Sequence, residues 1–170
     1  MLKKNLILLG MMAVGKTTLG HIVAKKQKLQ FMDIDKIIEK KNSMKISDIF
    51  KKNGENFFRM EEEIETLKAL NKKNCLISLG GGAFMNKNIR DEILKRAISI
   101  WLDVNVDIIN SRTKLNKKRP LLNKKNNIKR LEDLYNKRKN FYKLADHRIL
   151  CDRLSKKYIV QEIINFYETK

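Results

Sequence analysis

Short apolar runs separated by longer, polar-interrupted stretches set the pattern of this chain. Leu6, Ile7, Leu8 and Leu9 form the first run and read as a buried strand over 5–10, followed by a helix over 16–27. A second short strand spans 29–33 and runs into Asp33, Ile34 and Asp35, with helix resuming over 36–42. Residues 43–48 mark a break, in which Ser47 is the expected cap of a helix that carries Ile49 and Phe50 and stops at Gly54. A longer helix from about 55 to 72 puts Phe58, Ile64, Leu67 and Leu70 at near-helical spacing. The third strand, 75–79, closes on Gly80, Gly81 and Gly82; a helix over 86–95 and a strand over 97–102 containing Trp101 follow. The remainder reads as helix 105–113, a mobile loop 114–127 around the single proline Pro120, helix 128–144, a weaker strand 148–151 and a closing helix 155–169.

Strands that alternate with helices build a parallel sheet covered on both faces, which predicts a three-layer α/β sandwich. No internal repeat or long linker divides the 170 residues, so one domain over 1–170 is expected. Ligands of such sheets gather at the carboxyl ends of the strands. Three polar clusters fall at those ends: residues 10–18, the pair Asp33 and Asp35, and the three glycines 80–82.

The first cluster is the most informative. Gly10, Met11, Met12, Ala13, Val14, Gly15, Lys16, Thr17 and Thr18 carry the spacing of a phosphate-binding loop between a strand and a helix. Gly10 and Gly15 let successive N–H groups turn inward onto phosphate oxygens, and the helix that begins near Lys16 adds its positive end. Lys16 is expected to reach the β- and γ-phosphates of ATP, and the Thr17 hydroxyl to take a position on Mg²⁺.

Composition adds limits. Hydrophobic residues make up 42% of the chain, enough for a packed core, and the formal net charge is +19. Such charge invites a nucleic-acid partner. The lysines lie in pairs along most of the chain, as at Lys25-Lys26, Lys72-Lys73 and Lys156-Lys157, rather than in one stripe with interleaved aromatics. Small anionic substrates are the expected partners, with no nucleic acid and no membrane. The basic, apolar N-terminus resembles a short signal peptide, but cleavage would remove the phosphate loop, and no run approaches the roughly 20 apolar residues of a membrane span. A cytoplasmic monomer is expected. Cys75 and Cys151 lack CxxC spacing and read as reduced, buried thiols. His21 and His147 read as surface histidines.

Read in order, the chain resembles the shikimate kinases over nearly its whole length. The residues that carry the resemblance are the phosphate loop, Asp33-x-Asp35, Asp48-Ile49-Phe50, Gly54-Glu55 and Phe57-Phe58-Arg59-x-Glu61-Glu62. They continue with Leu79-Gly80-Gly81-Gly82-Ala83, Arg119-Pro120-Leu121-Leu122 and Arg138-x3-Tyr142-x2-Ala145. The resemblance implies a nucleoside-monophosphate-kinase-like fold with a five-stranded parallel sheet in the order 2-3-1-4-5. It implies transfer of the ATP γ-phosphate to the 3-hydroxyl of shikimate, with Mg²⁺, in the pathway to chorismate and the aromatic amino acids. It also implies an acceptor-binding segment at about 33–62 and a lid at about 112–127.

By the same match, Arg59 and Arg138 hold the shikimate carboxylate, for which planar guanidinium forks suit two parallel charge-assisted hydrogen bonds. Arg59 follows two phenylalanines, where a charge is costly unless it faces a ligand or partner. Asp35 matches the residue at the reacting hydroxyl, able to orient it and accept its proton, and Asp33 matches a carboxylate placed for Mg²⁺, partly through water. On an extended segment these two would point to opposite sides, so a turn beginning at Asp35 is needed for both to serve one site. Phe50 and Phe58 match walls of the ring site, with Gly80, Gly81 and Gly82 offering unobstructed N–H groups beside it. Arg119 matches a lid cation that reaches the transferring phosphate, and Arg112 a position near the adenine. Two departures stand out: Ala13 replaces a usual glycine, and no proline follows Asp152-Arg153, where the adenine loop is expected. The alternatives are a related small-molecule kinase such as a gluconate kinase, and a nucleic-acid-binding ATPase.

Overall fold

The computed structural model describes residues 4–114 and 127–170. Five strands, β1 (Asn5–Leu9), β2 (Gln30–Asp33), β3 (Cys75–Ser78), β4 (Ala97–Asp103) and β5 (His147–Leu150), pair in parallel in the order β2-β3-β1-β4-β5. Leu6 stands opposite Leu76 on one side and Ile98 on the other, and Leu9 opposite Trp101. Every residue of β1, β3 and β4 is buried, as expected of strands covered on both faces. Burying each of their Leu and Ile side chains contributes roughly 1.5–3 kcal/mol.

Helices α1 (Lys16–Gln27), α2 (Ile34–Asn42), α3 (Ile46–Leu70), α4 (Lys87–Arg96), α5 (Val106–Lys114), α6 (Asn127–Tyr142) and α7 (Lys156–Glu168) supply the outer layers. α1 packs with α7, α2 and α4 pack with α3, and α5 packs with α6. Asn5 and Ser99, polar residues inside the sheet, are hydrogen-bonded, whereas the buried Trp101 Nε1 has no hydrogen-bond partner among the described residues. Asn5 accepts from the Cys75 N–H at 3.0 Å and donates to Lys72 O at 2.7 Å, which ties the start of β1 to the turn after α3. Ser99 donates through its N–H and hydroxyl to Asp146 Oδ2.

Two sequence expectations change. Ser47 does not cap the third helix, which begins at Ile46 with Lys45 at the cap position and no side-chain capping bond. Helix α2 begins at Ile34 rather than at 36, and Asp33 caps it by accepting the Lys36 N–H at 3.2 Å. Gly54 breaks α3 as expected: at φ 84° and ψ 169° it joins two helical stretches across a kink. Most of the expected lid, with Arg119, lies outside the described residues.

Candidate active site

The phosphate loop joins β1 to α1 at the carboxyl edge of the sheet. Gly10 has φ 139°, and a Cβ there would lie 2.5 Å from the Leu102 carbonyl oxygen, so only glycine fits beside β4. Gly15, at φ 103°, leads into α1, whose first turn holds no acidic residue and whose cap makes no side-chain hydrogen bond. The positive end of this helix thus carries no carboxylate of its own and favours an anion. Ala13 adopts φ 60°, a left-handed conformation that costs a non-glycine residue roughly 1–2 kcal/mol. The alanine therefore keeps a backbone that glycine would adopt freely. Lys16 is largely buried, and its ammonium donates to Gly10 O at 2.9 Å and Met11 O at 2.8 Å. Met11 and Val14 turn their side chains into the core, so their loop contribution is backbone.

Asp33 and Asp35 both face this loop. Thr17 Oγ1 donates to Asp33 Oδ2 at 2.7 Å, so one carboxylate both caps α2 and holds the loop threonine. Helix begins between the two aspartates, two residues earlier than expected, and the strand alternation that would have separated them ends there. Both line a cavity of about 490 Å³ together with Lys16, Thr17, Gly81 and Arg112. Arg112 is exposed and donates to Ala13 O at 3.3 Å, which brings it to the loop. Among the described residues, no group of three or more His, Cys, Asp or Glu side chains could form a metal cage.

The three glycines 80–82 form the opposite wall. A Cβ on Gly80 would overlap Glu62 Oε1 and lie 2.9 Å from Asp35 Oδ1. One on Gly81 would lie 3.2 Å from Arg138 Nη1, and one on Gly82 2.6 Å from Arg59 Nη1. Two guanidiniums and two carboxylates thus converge on a turn with no side chains of its own. Gly81 also lies close to the phosphate loop: a Cβ built on it would stand 3.5 Å from both Gly10 O and Met12 N. Phe58 is buried, Phe50 half-buried, and their rings stand 4.8 Å apart beside Arg59, whose guanidinium lies over Phe58 at 5.2 Å.

Glu62 is the residue that sequence reasoning passed over as a site. Its carboxylate is almost fully buried, takes Arg59 Nη1 at 2.6 Å, and leaves Oε1 without a hydrogen-bond partner. Burial raises its pKa above the usual carboxylate value despite the Arg59 and Arg138 charges, and the Asp35 carboxylate adds to the rise. Arg59 also donates from Nη2 to Glu55 at 3.2 Å. Carboxylates four residues before and three residues after an arginine share one helix face with it, a spacing that was legible in Glu55, Arg59 and Glu62.

Away from the site, Cys75 and Cys151 are free and buried, as expected. His147 is half-buried, unlike the expected surface histidine: it stands 3.2 Å from Glu162 and stacks on Phe166. Among the described residues, no helix is long and apolar enough to cross a membrane.

Residues 12–168 match the family model described as shikimate kinase. A shikimate kinase from Sulfurihydrogenibium sp. is 40% identical over 161 residues, covering 95% of this chain and 96% of that protein. A solved shikimate kinase from Acinetobacter baumannii, in complex with shikimate, superposes with a TM-score of 0.92 at 31% identity, covering 98% of this chain and 94% of that one. A gluconokinase from Sinorhizobium meliloti superposes with a TM-score of 0.60 at 10% identity, covering 99% and 93%, a likeness of fold alone.

Proposed function

The chain belongs to the shikimate kinase family, and from that premise we propose how its own residues divide the transfer of the ATP γ-phosphoryl group to the 3-hydroxyl of shikimate. The observation that carries this division is the closeness of Gly81 to the phosphate loop, where a Cβ built on it would lie 3.5 Å from Gly10 O and Met12 N. It supports a reading in which Arg59, Arg138 and Asp35, all beside the glycine turn, hold the acceptor next to the phosphate loop.

On the donor side, the loop N–H groups and the start of α1 cradle the ATP phosphates, and Lys16 exchanges its carbonyl partners for phosphate oxygens. Arg112 adds positive charge at the rim of the loop. Thr17 and Asp33 are hard oxygen donors held 2.7 Å apart, a pairing that suits Mg²⁺ shared with the nucleotide better than an all-protein cage. When bound, Mg²⁺ would neutralise charge on the phosphates.

On the acceptor side, Arg59 and Arg138 bind the shikimate carboxylate, while Phe50 and Phe58 wall the ring. The N–H groups of Gly80, Gly81 and Gly82 find no acceptor among the described residues and face the ring hydroxyls. Asp35 orients the 3-hydroxyl and accepts its proton as the new P–O bond forms and the bond to ADP breaks. Glu62 keeps the Arg59 guanidinium in its plane. The chain works as a single domain over 1–170, a cytoplasmic monomer acting on small anions, with residues 33–62 as the acceptor-binding segment.

The test is a coupled ADP-release assay with shikimate and gluconate as competing acceptors. Turnover on shikimate is expected; turnover on gluconate alone would overturn the reading. In the same assay, Arg59→Lys is expected to raise the KM for shikimate about tenfold or more and leave the KM for ATP nearly unchanged. An ammonium cannot reproduce the planar fork, and one lost charge-assisted hydrogen bond accounts for about that factor. Equal losses for both substrates would make Arg59 a structural residue.

A further inference from the structure

The buried end of α6 holds a phenol that the reaction as described does not use. Tyr142 is 1% exposed, and its ring stands 5.7 Å from that of Trp101. Its hydroxyl donates to Gly81 O at 2.5 Å and lies 3.9 Å from Met11 Sδ. Arg138, one helical turn earlier, reaches the same sulfur with Nη1 at 3.9 Å, and its guanidinium also acts on the Tyr142 hydroxyl. Burial lifts this phenol to about 12, so it is a proton donor throughout the range in which the enzyme is assayed.

We propose that Tyr142 is a positioning residue for the acceptor: its hydroxyl fixes the Gly81 carbonyl and, through the Met11 sulfur that both side chains reach, keeps it in one relation to the Arg138 guanidinium. The argument is geometric. A trans peptide is planar and its C=O and N–H point opposite ways, so anchoring the Gly81 carbonyl toward α6 sets the direction of the Gly82 N–H. The carbonyls of Gly80 and Gly82 accept from the Ala83 and Met85 N–H groups, and the Tyr142 hydroxyl is the donor that holds the carbonyl between them. Arg138 belongs to the same helix, so the hydroxyl that fixes the turn also registers α6 against it. Met11, the first residue after Gly10, touches both side chains and ties them to the phosphate loop. A hydrophobic ring alone would fill the space beside Trp101, and only the hydroxyl makes these polar connections. The inference rests on the reading of Arg138 and the glycine turn as the acceptor site.

Tyr142→Phe tests it, because the ring and its contact with Trp101 remain and only the donor is lost; the melting temperature verifies the fold. The KM for shikimate is expected to rise about tenfold, the effect of one lost buried hydrogen bond, with the KM for ATP changing less than about twofold. Arg138→Lys is measured beside it, together with the double variant. If Tyr142 acts through Arg138, the double variant has a shikimate KM close to that of Arg138→Lys alone. Both KM values shifting together, neither shifting, or a fully multiplicative double effect would overturn the proposal. An unchanged shikimate KM in Arg138→Lys would instead fell the parent reading of Arg138, and the Tyr142 inference with it. A raised KM in Arg138→Lys with none in Tyr142→Phe would fell the inference alone.

Discussion

Lys16→Ala is expected to lower kcat by about a thousandfold or more, while the melting temperature stays close to that of the parent chain. The lysine is the first residue of α1, and its ammonium donates to two loop carbonyls within 3 Å. That geometry puts a positive charge inside the curve of the loop, where the β- and γ-phosphates of ATP would lie. During transfer the charge on the phosphoryl oxygens redistributes, and a fixed, largely buried cation stabilises it more than water would. Alanine keeps the helix start, since it is the best helix former, and removes the charge and the hydrogen bonds to Gly10 O and Met11 O. Coupled ADP release at saturating shikimate measures the loss. Activity within tenfold of the parent would remove Lys16 from phosphate chemistry and make its carbonyl contacts its whole role.

Much of this arrangement was legible in the chain because local rules and tertiary demands agree. The buried strands could be read from unbroken apolar runs, and the phosphate loop from glycines whose positive φ no side chain would tolerate. Asp33 was harder. Its strand alternation with Asp35 argued for opposite faces, and only a helix that starts two residues early brings both into one cavity. The competing signal was the capping propensity of Asp33 itself, and the carboxylate turns out to cap α2 and hold Thr17 at once. Ser47 misled for the opposite reason: it is a good cap by type, yet the helix already starts at Ile46. Glu62 was hidden because a carboxylate in a charged helix usually faces solvent. Its burial follows from the approach of residues 80–82, a contact between distant segments that no local spacing encodes. Arg138 stands among lysines on α6, where composition argues for a solvated face, and only the folded chain brings it to Gly81.

Asp35→Asn is expected to lower kcat by about a hundredfold to ten-thousandfold, with the KM for shikimate changing only severalfold. Asparagine has the same shape and can still hydrogen-bond the acceptor hydroxyl, so binding is largely kept. What it lacks is the negative charge that draws the hydroxyl proton as the P–O bond forms. Asp35 suits that task by position: it lies in the first turn of α2, its Oδ1 is beside Gly80, and it lines the same cavity as Lys16. The neighbouring Glu62 carboxylate is held by Arg59 at 2.6 Å and is the less accessible of the two, which leaves Asp35 to face the acceptor. Phosphoryl transfer is loose and asks little base strength, so the lower end of that range would mark Asp35 as an orienting group. The upper end would mark it as the proton acceptor. An unchanged kcat would show that the carboxylate takes no part, and the hydroxyl would then be held by the glycine N–H groups alone.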